Sequence, residues 1–395
     1  MTSDVPNLRF PEFQGEWKKT TIGDIADLYK GTGISKDQLS DDGEPCILYG
    51  ELYTKYKSET IGEVISKTNI DNTKLVRSKA NDVIIPCSGE TAEDIATARC
   101  VLNGNILLGG DLNIIRLHGY DGAFMSYQLN GRRKYDIAKV AQGVSVVHLY
   151  GEHLKGVKTI NPCLEEQKEI AKLLSLLDER IATQNKIIDK LQSLIKGINQ
   201  RVFMNSGTNY KLGEICEIRN GYSGSQHLSK KGLKVSRIET ISGHKVNMER
   251  VGYVAPFESS ENYRLQVGDI LFSNINSVEY IGNTAFIDKD YDLYHGMNLL
   301  RLTPNNMVVI PFYLYLLLNT NRMLNRFKTV CNKAVSQASI NQTELGKTVV
   351  QIPDINAQKQ ICELYQALYD KLESEKYANS LFQKQKQYLL RQMFI

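Results

Sequence analysis

Two kinds of hydrophobic patterning alternate along this chain. From about residue 20 to 160, and again from about 210 to 350, apolar residues come in short runs rich in Val, Ile and Tyr, broken by Gly, Asn and Asp. That is the pattern of strands and turns with an occasional helix. Residues 83–86, 106–108, 113–117, 270–272 and 299–302 read as strands, and 124–129 and 312–318 as buried helices. After Pro162 the pattern changes to Leu, Glu, Lys and Gln for about forty residues. Apolar side chains then recur at Ile170, Leu174, Leu177, Ile181, Ile188, Leu191, Ile195, Ile198 and Val202, with Gln184 as the one break. This four-and-three spacing keeps one stripe toward a partner helix. At 1.5 Å per residue the helix is about 60 Å long. After Pro353 the arrangement returns more loosely, with Ile361, Tyr365, Leu368, Leu372, Phe382 and Leu389 on the stripe and Glu375, Asn379 and Lys386 interrupting it.

The expected fold class is therefore α+β: two similar β-rich α/β domains separated by two long antiparallel coiled-coil helices. The expected boundaries are a first domain at 1–162, a central helix at 163–206, a second domain at 207–353 and a C-terminal helix at 354–395. The plainer alternative is that each amphipathic helix packs only on its own domain.

The second half of the chain repeats the first. TIGDIADLYKG from Thr21 matches KLGEICEIRNG from Lys211, at an offset of 190 from Ile22 to Leu212. NDVII from Asn81 matches GDILF from Gly268, an offset of 187. LNIIRL from Leu112 matches MNLLRL from Met297, an offset of 185. Gly143-Val144-Ser145 matches Ala334-Val335-Ser336 at 191, and the match runs on through Pro162 and Pro353 to QKEI from Gln167 and QKQI from Gln358. So long a period, with matches that stay in order, points to a duplicated domain plus one linking helix rather than a solenoid.

Composition narrows the class. The chain of 395 residues is 42% hydrophobic and 23% charged, which suits two or three globular domains. Its longest apolar run, 308–318, contains Pro311 and is too short to span a membrane. Seven cysteines without a C-x-x-C pair, and a polar N-terminus, suggest a reducing cytoplasm in which cysteines act as small core residues. Net charge is only +4. Residues 1–162 carry 19 basic against 21 acidic side chains, and 207–353 carry 16 against 12. A nucleic-acid ligand would need phosphate contacts from another subunit for tight binding.

Catalytic motifs are missing. His148 and His153 lack the spacing of a helical zinc motif, and no metal site is expected. Gly346-Lys347-Thr348 has Asn341 where a phosphate loop needs glycine, so it reads as a turn before a strand. Gly31-Thr32-Gly33 lacks a third glycine, and Glu90, Glu93 and Asp94 read as a solvated loop. No Asn or Asp followed by two prolines and an aromatic residue, the signature of amino-group methyltransferases, is present.

The opening VPNLRFPEFQGEW from Val5, the TIGD and KLGE blocks read as the first strand of each domain, NPCLEEQKEIAKLL from Asn161 and IPDINAQKQICELY from Ile352 together resemble the specificity subunits of type I restriction-modification systems. The resemblance covers the whole length. Ala357 replaces, in the second copy, the glutamate that the first carries as Glu166 beside Gln167, which implies unequal partner contacts in the two copies. The resemblance implies a non-catalytic subunit that reads a bipartite double-stranded DNA site, one half per domain, with a spacer set by the helices. The implied partners are two methyltransferase subunits binding S-adenosylmethionine, and restriction subunits using ATP and Mg. This chain would bind no cofactor and no membrane.

Sequence is read by side chains at base edges, and phosphate contacts only position the protein. By residue type and repeat position, the candidates in the first domain are Lys36, Lys55, Lys57, Arg99, Arg132, Arg133, Lys134 and Gln142. In the second they are Ser225, Gln226, Lys230, Lys231, Arg237, Asn274, Asn276, Arg322, Arg326, Lys328 and Gln337. The competing readings are a protein-interaction scaffold without DNA specificity and an enzyme with an unfamiliar motif.

Overall fold

A computed structural model of the chain describes residues 5–71, 73–143, 146–203, 207–226, 231–333 and 337–395, with the side chain of Gln200 excepted. Val144, Ser145 and Ala334, Val335, Ser336 of the fourth repeat block lie outside the described residues, as does the candidate Lys230. The chain divides into two compact units, residues 1–187 with 375–395, and residues 188–374.

The first unit is organised by five strands: β1 (Ala26–Lys30), β2 (Thr60–Ile61), β3 (Asp82–Pro86), β4 (Arg99–Val101) and β5 (Leu112–Leu117), in the order β1-β5-β3-β4-β2. All neighbours are antiparallel except β4 with β2. Successive side chains of a strand face opposite ways. Hence Val83 and Ile85 join the core beneath helix Gly122–Asn130, while Ile84 joins a second core on the other face. Covered on both sides, β3 is buried at every position, which is why its sequence runs apolar without alternation.

The second unit repeats this plan with β6 (Cys216–Asn220), β7 (Ile270–Ser273), β8 (Thr284–Phe286) and β9 (Leu299–Pro304), in the order β6-β9-β7-β8, and the buried helix Pro311–Leu318. Register corrects one repeat offset. Leu117 lies opposite Ala26 and Pro304 opposite Cys216, while Ile115 lies opposite Val83 and Leu302 opposite Ile270. Both comparisons set the offset between β5 and β9 at 187, not 185. A two-residue slip keeps every side chain on its own face, so the apolar pattern fits either alignment. The structural counterpart of Arg116 is thus Thr303, and that of Arg301 is Ile114. Asp82 accepts from Arg116 at 2.9 and 2.8 Å, and its counterpart Asp269 accepts from Thr303 at 2.6 Å.

The TIGD and KLGE blocks are helical turns rather than the expected strands. Ile22–Ile25 and Leu212–Ile215 follow strands Lys18–Thr21 and Thr208–Lys211. Asp24 accepts from the Thr21 backbone N–H at 2.7 Å and Glu214 from that of Lys211 at 2.8 Å, so the shared acid caps the turn. The preceding strands pair antiparallel with Lys158–Asn161 and Val349–Ile352, which places the first and last strands of each domain side by side at a helix start. Glu93 and Asp94 also stand in a short helix, Ala92–Ile95, capped by Thr91, instead of a loop.

The two long helices are Leu164–Val202 and Ile355–Gln392. Ile170, Leu174 and Leu177 are buried, and Ile181, Ile188, Leu191, Ile195, Ile198 and Val202 half-buried. On the second helix Leu372 is buried, and Ile361, Leu368, Phe382 and Leu389 are half-buried. Each unit holds part of both. In the first, Asp178 meets Lys386 at 2.6 Å and Gln184 meets Glu375, so numbers rise on one helix as they fall on the other and the pair is antiparallel. Phe394 reaches the same core and lies 5.1 Å from Phe124. In the second, Ile195 and Ile198 pack with Ile361 beside Tyr365, and Phe203 lies 5.4 Å from Tyr313. The two helices pair antiparallel as expected, and within each unit the paired segments also pack on the domain core.

Candidate nucleic-acid interface

In both units one glycine launches the loop that follows the first strand of the main sheet. A Cβ at Gly31 would sit 2.0 Å from the carbonyl oxygen of Gly109, and one at Gly221 would sit 1.8 Å from that of Gly296. No other residue fits so close a crossing. Backbone bonds then hold the crossing, from Thr32 N to Leu108 O at 3.2 Å and from Tyr222 N to His295 O at 2.8 Å. In the second unit a third segment joins through Ser236 N to Tyr294 O at 2.8 Å.

The three segments enclose a cleft of about 420 Å³ lined by Ser225, Gln226, Arg237 and Asn298, among others. Three sequence candidates, Ser225, Gln226 and Arg237, are therefore brought to one concave surface by backbone crossings rather than by sequence proximity. Ser225 and Arg237 are exposed and Gln226 is half-buried. They offer the hydroxyl, amide and guanidinium groups that base edges require. In the first unit the corresponding loop carries the exposed Lys36 on the short turn Lys36–Gln38.

The other candidates separate. Lys57, Gln142, Lys231 and Gln337 are exposed, Lys134 and Lys328 half-buried. Lys55 is held by Glu51 at 2.6 Å and Ser66 at 2.8 Å. Asn276 bonds Ser273 at 3.1 Å, and Arg322 is exposed on the helix Asn321–Val330. Arg99 is a correction. It is 8% exposed, and its guanidinium donates to the carbonyls of Leu52, Ala98 and Tyr56 at 3.1 Å each. The charge is spent on a loop of its own domain. Asn274 is likewise buried, at 8% exposure. Arg132 and Arg133 donate to the carbonyls of Arg391, Phe394 and Ile395, and Arg326 donates to that of Val349. Arg391 stands in the last turn of helix Ile355–Gln392, so Arg132 satisfies a carbonyl that the helix end leaves without a partner, and Arg133 holds the segment just beyond it.

The residues that interrupt the helix stripes are paired polar groups. Gln184 donates to the Glu375 carboxylate, and Asn379 to Asn185 at 2.9 Å. Lys386 lies 2.6 Å from both Glu59 and Asp178, and Tyr127 donates to Asp178 at 2.7 Å. Burial pushes the Glu59 carboxyl up against the pull of Lys386 and lowers Arg99. In the second unit burial pushes His295 down to about 4, and it is neutral at pH 7. No helix among the described residues is long and apolar enough to cross a membrane.

A family described as the type I restriction modification DNA specificity domain matches the chain twice, over residues 14–193 and 206–380. The chain belongs to this specificity family. The putative type I restriction enzyme MjaX specificity subunit of Methanocaldococcus jannaschii is 44% identical over 158 residues, covering 39% of this chain and 37% of that protein. The MjaVIII specificity subunit of the same archaeon is 24% identical, with 98% of this chain and 93% of that protein aligned. The chain thus spans little more than a third of the first relative and nearly all of the second. A crystal structure of a type I system S subunit from M. genitalium matches with a TM-score of 0.64 at 18% identity, over 99% of both chains, a likeness of fold.

The two helix starts of this specificity subunit now have a physical reading. Gln167 accepts from Asp121 N at 2.9 Å and donates to Pro162 O at 2.9 Å; Gln358 accepts from Ile310 N and donates to Pro353 O, each at 2.8 Å. One amide ties the long helix to the N-terminus of the buried helix in each domain. Glu166 is fully buried and takes both 2.7 Å bonds from Arg9, in the segment before the strand Lys18–Thr21. The repeat matches begin at residue 21, so that segment has no counterpart, and Ala357 needs no carboxylate.

Proposed function

We propose that this specificity subunit reads an asymmetric, bipartite double-stranded DNA site, with one half-site per domain, and carries out no chemistry itself. The observation that carries this reading is the family match to both repeats of a chain whose reading loops differ, Thr32–Lys36 in one and Tyr222–Gln226 in the other. Different side chains at the same crossing read different base edges. The partners are two methyltransferase subunits that bring S-adenosylmethionine, joined by restriction subunits that bring ATP and Mg, and the assembly works in the cytoplasm. The weak net charge of +4 suits a subunit whose partners supply most phosphate contacts.

The test is to co-express the chain with its methyltransferase and map methylated adenines genome-wide. One two-part motif with unlike halves is the expected result, and Gln226→Ala should relax one half only. Methylation by the purified chain alone would favour an enzyme, and stable complexes without DNA preference would favour a scaffold.

A further inference from the structure

At the strand position that holds Ile114 in the first domain, fully buried in its core, the second domain holds Arg301. Arg301 is 7% exposed. It donates to the carbonyls of Arg264 at 3.1 Å and Asn262 at 3.2 Å, and its Nε has no partner among the described residues. No carboxylate there lies within ion-pair distance of it. Burying a guanidinium without a counter-charge is costly, and an arginine where the repeat has isoleucine breaks a local rule without an internal return.

Arg301 and His295 form the floor of a pocket of about 310 Å³ whose rim includes Arg219, Asn220, Ser259 and Asn262. Arg219 is half-exposed and shared with Glu217 at 2.6 Å, so the floor guanidinium carries the uncompensated charge. Amide, hydroxyl and guanidinium donors around one buried cation suit a tetrahedral oxyanion. The pocket adjoins the reading cleft along two chain segments: Asn220 leads through Gly221 to Ser223–Gln226, and His295 through Gly296 to Met297 and Asn298.

We propose that this pocket binds a phosphate group of the DNA backbone through Arg301 and Arg219, and thereby sets the register of the second domain on its half-site. The proposal rests on the DNA-reading function above. Contacts of this kind position without specifying.

The experiment uses the full chain and two probes. Inorganic phosphate, at constant ionic strength against chloride, should raise the melting temperature of the native chain saturably and leave Arg301→Ile unmoved. In complex with the methyltransferase, Arg301→Ile should weaken cognate and non-cognate DNA about equally and reduce the slope of log K against log salt by about one. Should Arg301→Ile fail to fold, Arg219→Ala at the rim gives the same two readouts, with smaller changes. Phosphate stabilisation lost without any change in DNA slope assigns the pocket to a free anion and overturns the DNA assignment. No phosphate effect on the native chain together with an unchanged slope overturns the site. A native complex without sequence-dependent DNA binding defeats the reading function itself and the DNA assignment with it; phosphate saturation still decides the pocket.

Discussion

Where the first unit sets Asp82 against Arg116, the second sets Asp269 against Thr303. Where the first clamps Glu166 with Arg9, the second has Ala357. The first joins Lys386 to Asp178 and Glu59, whereas the counterparts of Lys386 and Asp178 at an offset of 191 are Ile195 and Tyr369, beside the aromatic rings of Tyr365 and Phe312. Each unit buries an arginine that donates to backbone carbonyls, Arg99 in the first and Arg301 in the second, but Arg301 lines a pocket and keeps an Nε without a partner among the described residues. One backbone plan therefore tolerates two ways of joining domain to helix: an ion-paired seam in the first unit and an aromatic seam in the second. A buried ion pair is no guarantee of extra stability, but it punishes the loss of either member.

The largest effect should come from breaking the ion-paired seam. Lys386→Met leaves Asp178 and Glu59, each 8% exposed, without their cation, and should cost about 3–5 kcal/mol. Denaturant unfolding measures this, and Ile195→Met, its counterpart, should cost less than about 1.5 kcal/mol. Equal small losses would show that the two seams do not differ in kind.

The next effect depends on pH and belongs to the second unit alone. His295 is 1% exposed and is held down to about 4 by burial, whereas its counterpart in the first unit is Leu108. An unfolded histidine titrates near 6.5, so below that pH the unfolded state binds the extra proton. The contribution of His295 is complete above about pH 6.5 and is lost as pH falls toward 4, by about 3 kcal/mol. Hydrogen exchange, corrected for intrinsic rates, should show β9 amides losing protection on acidification more than β5 amides, and His295→Leu should remove the difference. Equal loss in both strands would contradict the burial of His295.

The smallest effect should be one the two units share. Gln167→Leu and Gln358→Leu each leave buried backbone groups without their amide, at a cost of about 1–3 kcal/mol apiece. Unfolding of the two variants should give similar losses. A silent substitution in one unit would mean that the clasp is needed only in the other.

Much of this was legible in the chain itself. The long helices announce themselves because a 3.5-residue period survives nine stripe positions, from Ile170 to Val202, and they run 39 and 38 residues in the structure. Strand cores at Val83, Ile270 and Leu299 are equally clear, since a strand covered on both faces is apolar at most positions. The candidate cleft was half legible: Ser225, Gln226 and Arg237 were candidates by residue type, but nothing local says that Arg237 shares a surface with residues eleven or more positions before it. Arg301 was missed because the match of MNLLRL to LNIIRL set it against Arg116. Only the hydrogen-bonded register showed that its counterpart is Ile114.

The sequence by itself determined the duplication and the periodic faces of the helices, because repeated blocks and a regular apolar spacing are properties of the order of residues along the chain. The helical turns Ile22–Ile25 and Leu212–Ile215, and the crossings that require Gly31 and Gly221, came only with the structure, since Gly31 is confined by Gly109 and Gly221 by Gly296. Tertiary structure decided which polar side chains stay exposed and which become buried ties. Arg99 and Lys36 are both plausible DNA contacts until Leu52 and Tyr56 supply carbonyls to the first. Lys386 looks like a flaw in a stripe until Glu59, 327 residues away, meets it at 2.6 Å. A charge is settled by whatever the fold brings next to it, and that partner can come from anywhere in the chain.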